Sequence, residues 1–204
     1  MSLFAFRRVA AASLLVALAS GASAQADEQT WTIDPNHSAA QFAVKHMMVS
    51  TVRGQFDKLS GTVKARGNDV RTLAIDVTID AASVNTRVTN RDNDLRSANF
   101  FDVEKFPTIK FVSKKSEPVG EGRFKVTGDL TMHGVTREIV LDAEGPSPQV
   151  AQGQSVRIGA SATTKINRRD FGLQYNRVVE GAAVVGDEIT ITLDVEATRR
   201  NATP

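Results

Sequence analysis

EITITLDVEA, residues 188–197, decides how this chain folds. Ile189, Ile191, Leu193, Val195 and Ala197 alternate with Thr190, Thr192, Asp194 and Glu196. A period of two residues puts the apolar side chains on one face of a strand and the polar ones on the other. A strand with one dry and one wet face belongs to an antiparallel sheet that covers its core from one side.

The same pattern recurs upstream. Leu73, Ile75, Val77 and Ile79 are separated by Ala74, Asp76 and Thr78, and Phe124, Val126, Gly128, Leu130 and Met132 repeat the alternation. Shorter cases are Ala40, Phe42 and Val44, then Ile139, Leu141 and Ala143, then Ile158, Ala160 and Ala162. His133-Gly134 separates the alternating runs Arg123 to Met132 and Val135 to Ala143, and a two-residue loop with Gly second fits a primed hairpin turn. Pro118 to Gly122 and Gly145-Pro146-Ser147-Pro148 mark further turns.

The pattern breaks between Val88 and Phe101. Thr89 followed three residues later by Asp92 resembles an N-terminal cap and predicts a short polar helix over Asn90 to Ser97. Leu95 is its clearly apolar interior member, and Phe100 and Phe101 are expected to tuck the helix against one end of the sheet. Ile166 to Gly172 reads as a second irregular crossing. No linker or internal repeat divides the chain.

Many antiparallel strands and few helices permit a sandwich of two sheets or one sheet closed on itself, and the pattern does not choose between them. Small residues on the apolar faces, among them Ala40, Gly128, Ala143, Ala160 and Ala162, would leave a barrel of about eight strands hollow enough for one ligand. They would serve close sheet packing equally well.

The N-terminus carries a different signal. Arg7 and Arg8 precede an apolar run from Val9 to Ala19, then Ala22-Ser23-Ala24 and Ala24-Gln25-Ala26, two sites that suit a signal peptidase. The run is shorter than the ~20 residues a membrane span needs. The expectation is a cleaved signal peptide, residues 1–24, ahead of a single exported domain over residues 26–199, with no stable membrane insertion. Losing Arg7 and Arg8 takes Lys+Arg from 25 to 23, against 23 Asp+Glu. A neutral mature chain offers no electrostatic case for nucleic acid or an anionic membrane surface. The sequence has no Cys, so neither disulfides nor a thioether-linked lipid anchor hold it.

Reactive chemistry finds little support. His37, His46 and His133 match no zinc-ligand spacing, so no metal or other cofactor is expected. Asp34, His37 and Ser38 lie on one extended segment that is not expected to converge into a nucleophile-base-acid set, and Asp34-Pro35-Asn36-His37 reads as a turn leading into a strand. Neither a Gly-x-Ser-x-Gly elbow nor a phosphate-cradling loop occurs. The chain reads as a binding protein rather than an enzyme. The alternatives are a periplasmic stress-related interaction module without a dedicated cargo, which should expose a large apolar patch, and a hydrolase.

Longer motifs carry a resemblance. WTIDPNHSAAQFAVKHMMVSTVRGQF from Trp31, RDNDLRSANFFDVEKFPTIKF from Arg91, VTGDLTMHGVTREIVL from Val126, INRRDFG from Ile166 and VGDEITITLDVEA from Val185 occur in that order. Together they resemble the YceI-like family of bacterial periplasmic lipid-binding proteins over Trp31 to Ala197. The segment Gln149 to Ser155 departs from that pattern, lacking aromatic and aspartate residues often found there. The resemblance implies a lipocalin-like, up-and-down antiparallel β-barrel of about eight strands, with one or two short helices across its end. It also implies a pore for a polyisoprenoid, an isoprenoid quinone or a related long-chain lipid, and residence in the periplasm. Homodimers in some members and an association with a membrane cytochrome belong to the same picture.

On this reading the pocket lining is expected from Phe42, Val44, Ile75, Val77, Phe111, Phe124 and Val126, and from Leu130, Met132, Ile158, Ile191 and Leu193. Met47 and Met48 are expected as adaptable packing near an entrance. Arg91, Asp92, Arg96, Arg168 and Asp170 have two readings. They are headgroup contacts, since Arg forks onto carbonyl or phosphate oxygens, or, the preferred reading, ion pairs that fasten the irregular crossings to the barrel end.

Overall fold

The computed structural model describes residues 27–176, 178–179 and 182–201. The signal-peptide expectation over residues 1–24 lies outside them. The strands are β1 (Glu28–Ile33), β2 (Ala39–His46), β3 (Ser50–Phe56), β4 (Leu59–Arg66), β5 (Asp69–Asp80), β6 (Val84–Asn85) and β7 (Thr108–Gly120). They continue with β8 (Arg123–Met132), β9 (Val135–Glu144), β10 (Val150–Gln152), β11 (Ser155–Asn167), β12 (Val178–Val179), β13 (Ala182–Ala183) and β14 (Val185–Arg200). Among the described residues one α-helix, α1 (Thr89–Arg96), and two one-turn helices, Ala81–Ser83 and Arg168–Phe171, interrupt them.

Every pairing in the main sheet is antiparallel, and the sheet closes. β14 lies along β11 from Ser155↔Arg200 to Asn167↔Glu188. Its other edge takes β2, from Val185↔His46 to Asp194↔Ala39, and then β1 at Thr32↔Thr198 and Ile33↔Ala197. β1 and β2 are therefore one stave of the wall, broken by the turn at Asp34 to Ser38. β3 pairs with β2 and β4 with β1, making a second interrupted stave. From there β4, β5, β7, β8, β9 and β11 follow in order, so the ring is an up-and-down barrel of eight staves. The pairing of β14 on both of its edges closes the ring, which pattern alone left open.

The predicted strands are present and longer than their alternating cores. β14 runs three residues beyond each end of 188–197. The His133-Gly134 hairpin is in register, with Met132 opposite Val135, and both loop residues have positive φ, 51° and 74°, as a type I′ turn requires. A Cβ on Gly134 would stand 2.5 Å from Phe106 Cε1. Gly134→Ala is therefore expected to cost about 1–3 kcal/mol from backbone strain and overpacking. His133→Asn should cost less, because Asn accepts the left-handed conformation. Urea denaturation of both variants checks the order, and a reversed order would refute the turn argument.

The helix begins one residue earlier than expected, and its cap differs. Thr89 is the first helical residue, and Val88 at the cap position makes no side-chain bond. Asp92, 7% exposed, accepts instead from the Thr86 N–H at 2.8 Å and the Thr86 hydroxyl at 2.5 Å. The buried backbone after β6 needs a partner, and the carboxylate supplies it. Leu95 and Phe101 join the apolar cluster of Phe56, Val84, Ile109, Leu130, Phe171 and Leu173. With the one-turn helix Arg168–Phe171, they cap one end of the barrel. The other end carries the β4–β5 turn at Gly67-Asn68 and the β7–β8 turn at Glu121-Gly122.

Candidate functional site

A cavity of about 300 Å³ lies along the barrel axis. Its wall runs from Asn68, Asp69, Pro146 and Gln149 at the turn end to Leu95, Phe100 and Leu173 beneath the cap, and the wall between is almost wholly apolar. Inward-facing Ile75, Val77, Ile158, Ile191 and Leu193 are only half-buried, although they point away from bulk solvent. Side chains that face inward yet retain accessible surface border a void rather than a filled core.

Glycines help to keep the centre open. Phe42 pairs with Gly54, where a Cβ would stand 2.5 Å from Phe42 Cζ. Gly128 sits under Phe111 in the same way, at 2.6 Å from its Cζ. Both rings thus lie along the wall on a bare glycine backbone instead of crossing the lumen.

The wall contains Phe42 and Val44 from β2, Ile75 and Val77 from β5, and Phe111 from β7. Phe124, Val126, Leu130 and Met132 of β8, Ile158 of β11, and Ile191 and Leu193 of β14 complete the expected residues found there. Met47 and Met48 are not in it. They form the β2–β3 turn at φ 50° and 58°, and Met48 is 71% exposed. The sequence reading also omits Trp31 and Ile33 of β1 and Leu59 and Val63 of β4, which line the cavity. Alternation of Leu59, Gly61, Val63 and Ala65 was the available signal, weakened by the glycine.

The charged barrel-end residues act on backbone rather than on one another. Arg91 donates to the Thr86 hydroxyl at 2.7 Å and the Thr86 carbonyl at 2.9 Å, and Arg96 to the Ala82 and Val84 carbonyls, each at 2.7 Å. Arg168, 3% exposed, donates to the carbonyls of Gly186, Leu173 and Tyr175 and pairs with Asp187 at 2.9 Å. Burial pushes its guanidinium below the ordinary value, against the pull of Asp187. Asp170 stands exposed. Of the expected fastening ion pairs, Arg168 forms one, with Asp187 at the start of β14, while Arg91, Asp92 and Arg96 fasten the crossing through hydrogen bonds instead. Asp92 is engaged by Thr86, and Arg168 turns into the cap toward Asp187.

A second polar cluster sits on the outer wall. Asp34 Oδ2 lies 2.9 Å from His37 Nδ1 within the turn, so these two residues do meet, contrary to expectation. The turn folds the extended segment back on itself, with the Asn36 N–H on Asp34 Oδ1 at 2.9 Å. Ser38 is occupied elsewhere: its hydroxyl donates to the Glu196 carbonyl at 3.2 Å and accepts from the Glu196 N–H at 3.0 Å. Ligand atoms of Asp34, His37 and Glu196 lie within 4.8 Å of one another. Arg157 already places its guanidinium between the two carboxylates, 3.1 Å from Asp34 and in short contact with Glu196. That fixed cation takes the place a metal ion would need.

Hydrogen bonding from His37, then Asn36, holds the Asp34 carboxyl below its ordinary value. Gln55 and Asn85 lower Asp57, and Arg169, then Arg168, lower Asp187. A depressed folded-state value means stability that is present above the unfolded carboxylate range and lost as pH falls through the lower one. The melting temperature is therefore expected to hold from about pH 7 to 5 and to drop below about pH 4. Asp34→Asn should flatten part of that drop in a calorimetric pH series. A wild-type profile level down to about pH 2 would refute it.

Residues 31–197 match the YceI-like domain family. A UPF0312 protein of Staphylococcus aureus (strain MSSA476) is 38% identical over 169 residues, spanning 81% of this chain and 95% of its own length. The crystal structure of the Campylobacter jejuni YCEI protein superposes with a TM-score of 0.65 at 34% identity, covering 77% of this chain and 90% of that one. Two more distant crystal or solved structures share the fold. Burkholderia cenocepacia BcnA has a TM-score of 0.67 at 23% identity, covering 80% and 98% of the two chains. A polyisoprenoid binding domain from Saccharophagus degradans has 0.62 at 17%, covering 82% and 97%.

Proposed function

The chain belongs to the YceI-like family, and on that footing we propose that it carries the apolar tail of an isoprenoid-type lipid inside its barrel, in the bacterial periplasm, without chemistry of its own. The observation that carries this reading is the apolar cavity of about 300 Å³ between turn end and cap. The polyisoprenoid binding domain of Saccharophagus degradans supports the choice of cargo by its shared fold. The signal-peptide pattern at the N-terminus supports the compartment.

Size bounds the interaction. A cavity of ~150 Å³ takes one benzene ring, so this one houses roughly two five-carbon units. Burying ten carbons at ~0.8 kcal/mol each yields about 8 kcal/mol. Association alone costs an estimated 4–15 kcal/mol. Two units are therefore held weakly, and firm retention requires more of the tail to be covered or a polar anchor at the rim. Native mass spectrometry of the protein purified from its own periplasm tests the reading. The expected result is an adduct that leaves on denaturation as a prenyl-chain lipid; protein that flies only at its bare mass, under conditions that preserve weak complexes, would sink it.

A further inference from the structure

The polar atoms left without partners gather at the turn end of the barrel. On β1, Gln29, Trp31 and Ile33 share one face, and on β14 Ala197 and Arg199 share the face that looks into the lumen. Trp31, 2% exposed, forms part of the cavity wall, and the Arg199 guanidinium carbon lies 4.9 Å from its ring centroid. Arg199 also donates from Nη2 to Gln149 Oε1 at 3.3 Å, and Gln149 is a cavity-wall residue at the rim. Arg199 thus bridges the Trp31 side of the mouth to the β9–β10 connection.

Its bonding is incomplete. Arg199 Nε and Gln29 Oε1 are the buried side-chain atoms that lack a hydrogen-bond partner among the described residues. The contrast with the other inward arginine is sharp, since Arg168 at the capped end is saturated by carbonyls and Asp187. Arg157 likewise has two carboxylates. Among the described residues Arg199 has no carboxylate partner, and at the rim Asp69 is engaged by Arg71 at 3.3 Å. A buried donor on a charged group is costly to leave unmet. A cation stacked on a wall residue and bonded to another at the rim of an apolar cavity, with one buried donor unmet, fits an oxygen-bearing anion whose tail lies in that cavity.

We infer that Arg199, seated on Trp31 and bonded to Gln149, is a headgroup site that selects amphiphiles ending in an anionic phosphate or carboxylate. The inference rests on the lipid-carrying reading and names the end at which the head sits. The head emerges at the turn end, while the tail points toward Phe100 and Leu173. This is the rim anchor that the weak tail-only energetics call for.

The sole tryptophan of the chain, Trp31, is a built-in reporter at this spot. The full mature protein, stripped of lipid, is titrated with farnesyl monophosphate, with farnesol and with inorganic phosphate. Binding is read by Trp31 emission and by calorimetry. Farnesyl monophosphate is expected to bind about tenfold or more tightly than farnesol, the worth of one charge-assisted hydrogen bond. Arg199→Gln should bring the two within about threefold of each other, the larger loss falling on farnesyl monophosphate, and Arg199→Lys should keep most of the preference. A cooperative melting transition and a far-ultraviolet circular dichroism spectrum like those of the wild type show that Arg199→Gln is folded. Equal affinities in the wild type, or a preference that survives Arg199→Gln, overturn the headgroup site while leaving the lipid-carrying reading intact. Binding of inorganic phosphate alone at comparable affinity would mark a free-anion site and overturn it too. Failure of both prenyl probes to bind the wild type overturns the site together with the reading beneath it.

Discussion

Arg168→Met is expected to destabilise the barrel by about 3–5 kcal/mol, the cost of leaving buried polar groups without their charged partner. The side chain is 3% exposed and works as a planar fork. Nε reaches the Gly186 carbonyl at 3.0 Å, Nη1 reaches those of Leu173 and Tyr175 at 2.5 and 2.9 Å, and Nη2 reaches Asp187 at 2.9 Å. Those acceptors belong to the segment after the one-turn helix and to the start of β14. One guanidinium therefore pins two pieces of chain that share no ladder hydrogen bonds with each other in the main sheet. Methionine fills much of the same space and donates nothing, so three carbonyls lose their partner and Asp187 keeps only Arg169, at 2.8 Å. Lysine recovers part of the loss, because three donors on one point charge cannot serve acceptors spread around a plane. Urea denaturation of both variants gives the values. A loss under about 1 kcal/mol for Arg168→Met would show that water replaces the fork and that the cap is not held by it.

The roles of such residues were the least legible part of the sequence. Alternation in β14, β5 and β8 was readable because each strand buries one face only, and the His133-Gly134 turn was readable because its backbone conformation restricts the residue choice. β1 was missed, since Trp31 and Ile33 are too short an alternation to stand out, and β4 was blurred by Gly61. Closure was undetermined, because a sandwich and a barrel demand the same period; it is visible only in the pairing of β14 with β11 on one edge and with β1 and β2 on the other. Arg91, Asp92 and Arg168 were recognisable as structural, but their partners were not. Those partners are backbone groups and Thr86, and nothing in a side-chain pattern records which carbonyl a fold leaves unpaired. Met47 and Met48 misled for a related reason, as an apolar pair at a hairpin tip looks like wall until its left-handed φ values are known.

The wall itself was largely legible, and the small residues within it support the second large effect. Ala160 and Ala162 line the lumen from β11, opposite Val195 and Leu193, and both are only half-buried. Replacing both with leucine adds six carbons, about the bulk of the benzene ring that fills a ~150 Å³ cavity. That is roughly half of the 300 Å³ present. Filling a void in a wall that need not move is expected to raise stability by about 0.5–2 kcal/mol for each site that packs without strain. The same carbons take the space of the tail, so lipid recovered with the double variant should fall about tenfold or more, since one displaced five-carbon unit is worth about 4 kcal/mol at ~0.8 kcal/mol per carbon. Opposite signs separate function from scaffold: a variant that melts later and carries less lipid has lost its cargo space and nothing else. Mass spectrometry of the extracted lipid, normalised to protein, gives one measurement and calorimetry the other. Undiminished lipid in a stabilised double variant would mean that the cargo lies outside the lumen. A destabilised one would mean that the apparent void is closed by side-chain movement in the working protein, and the carrier would then need another place to hold its tail.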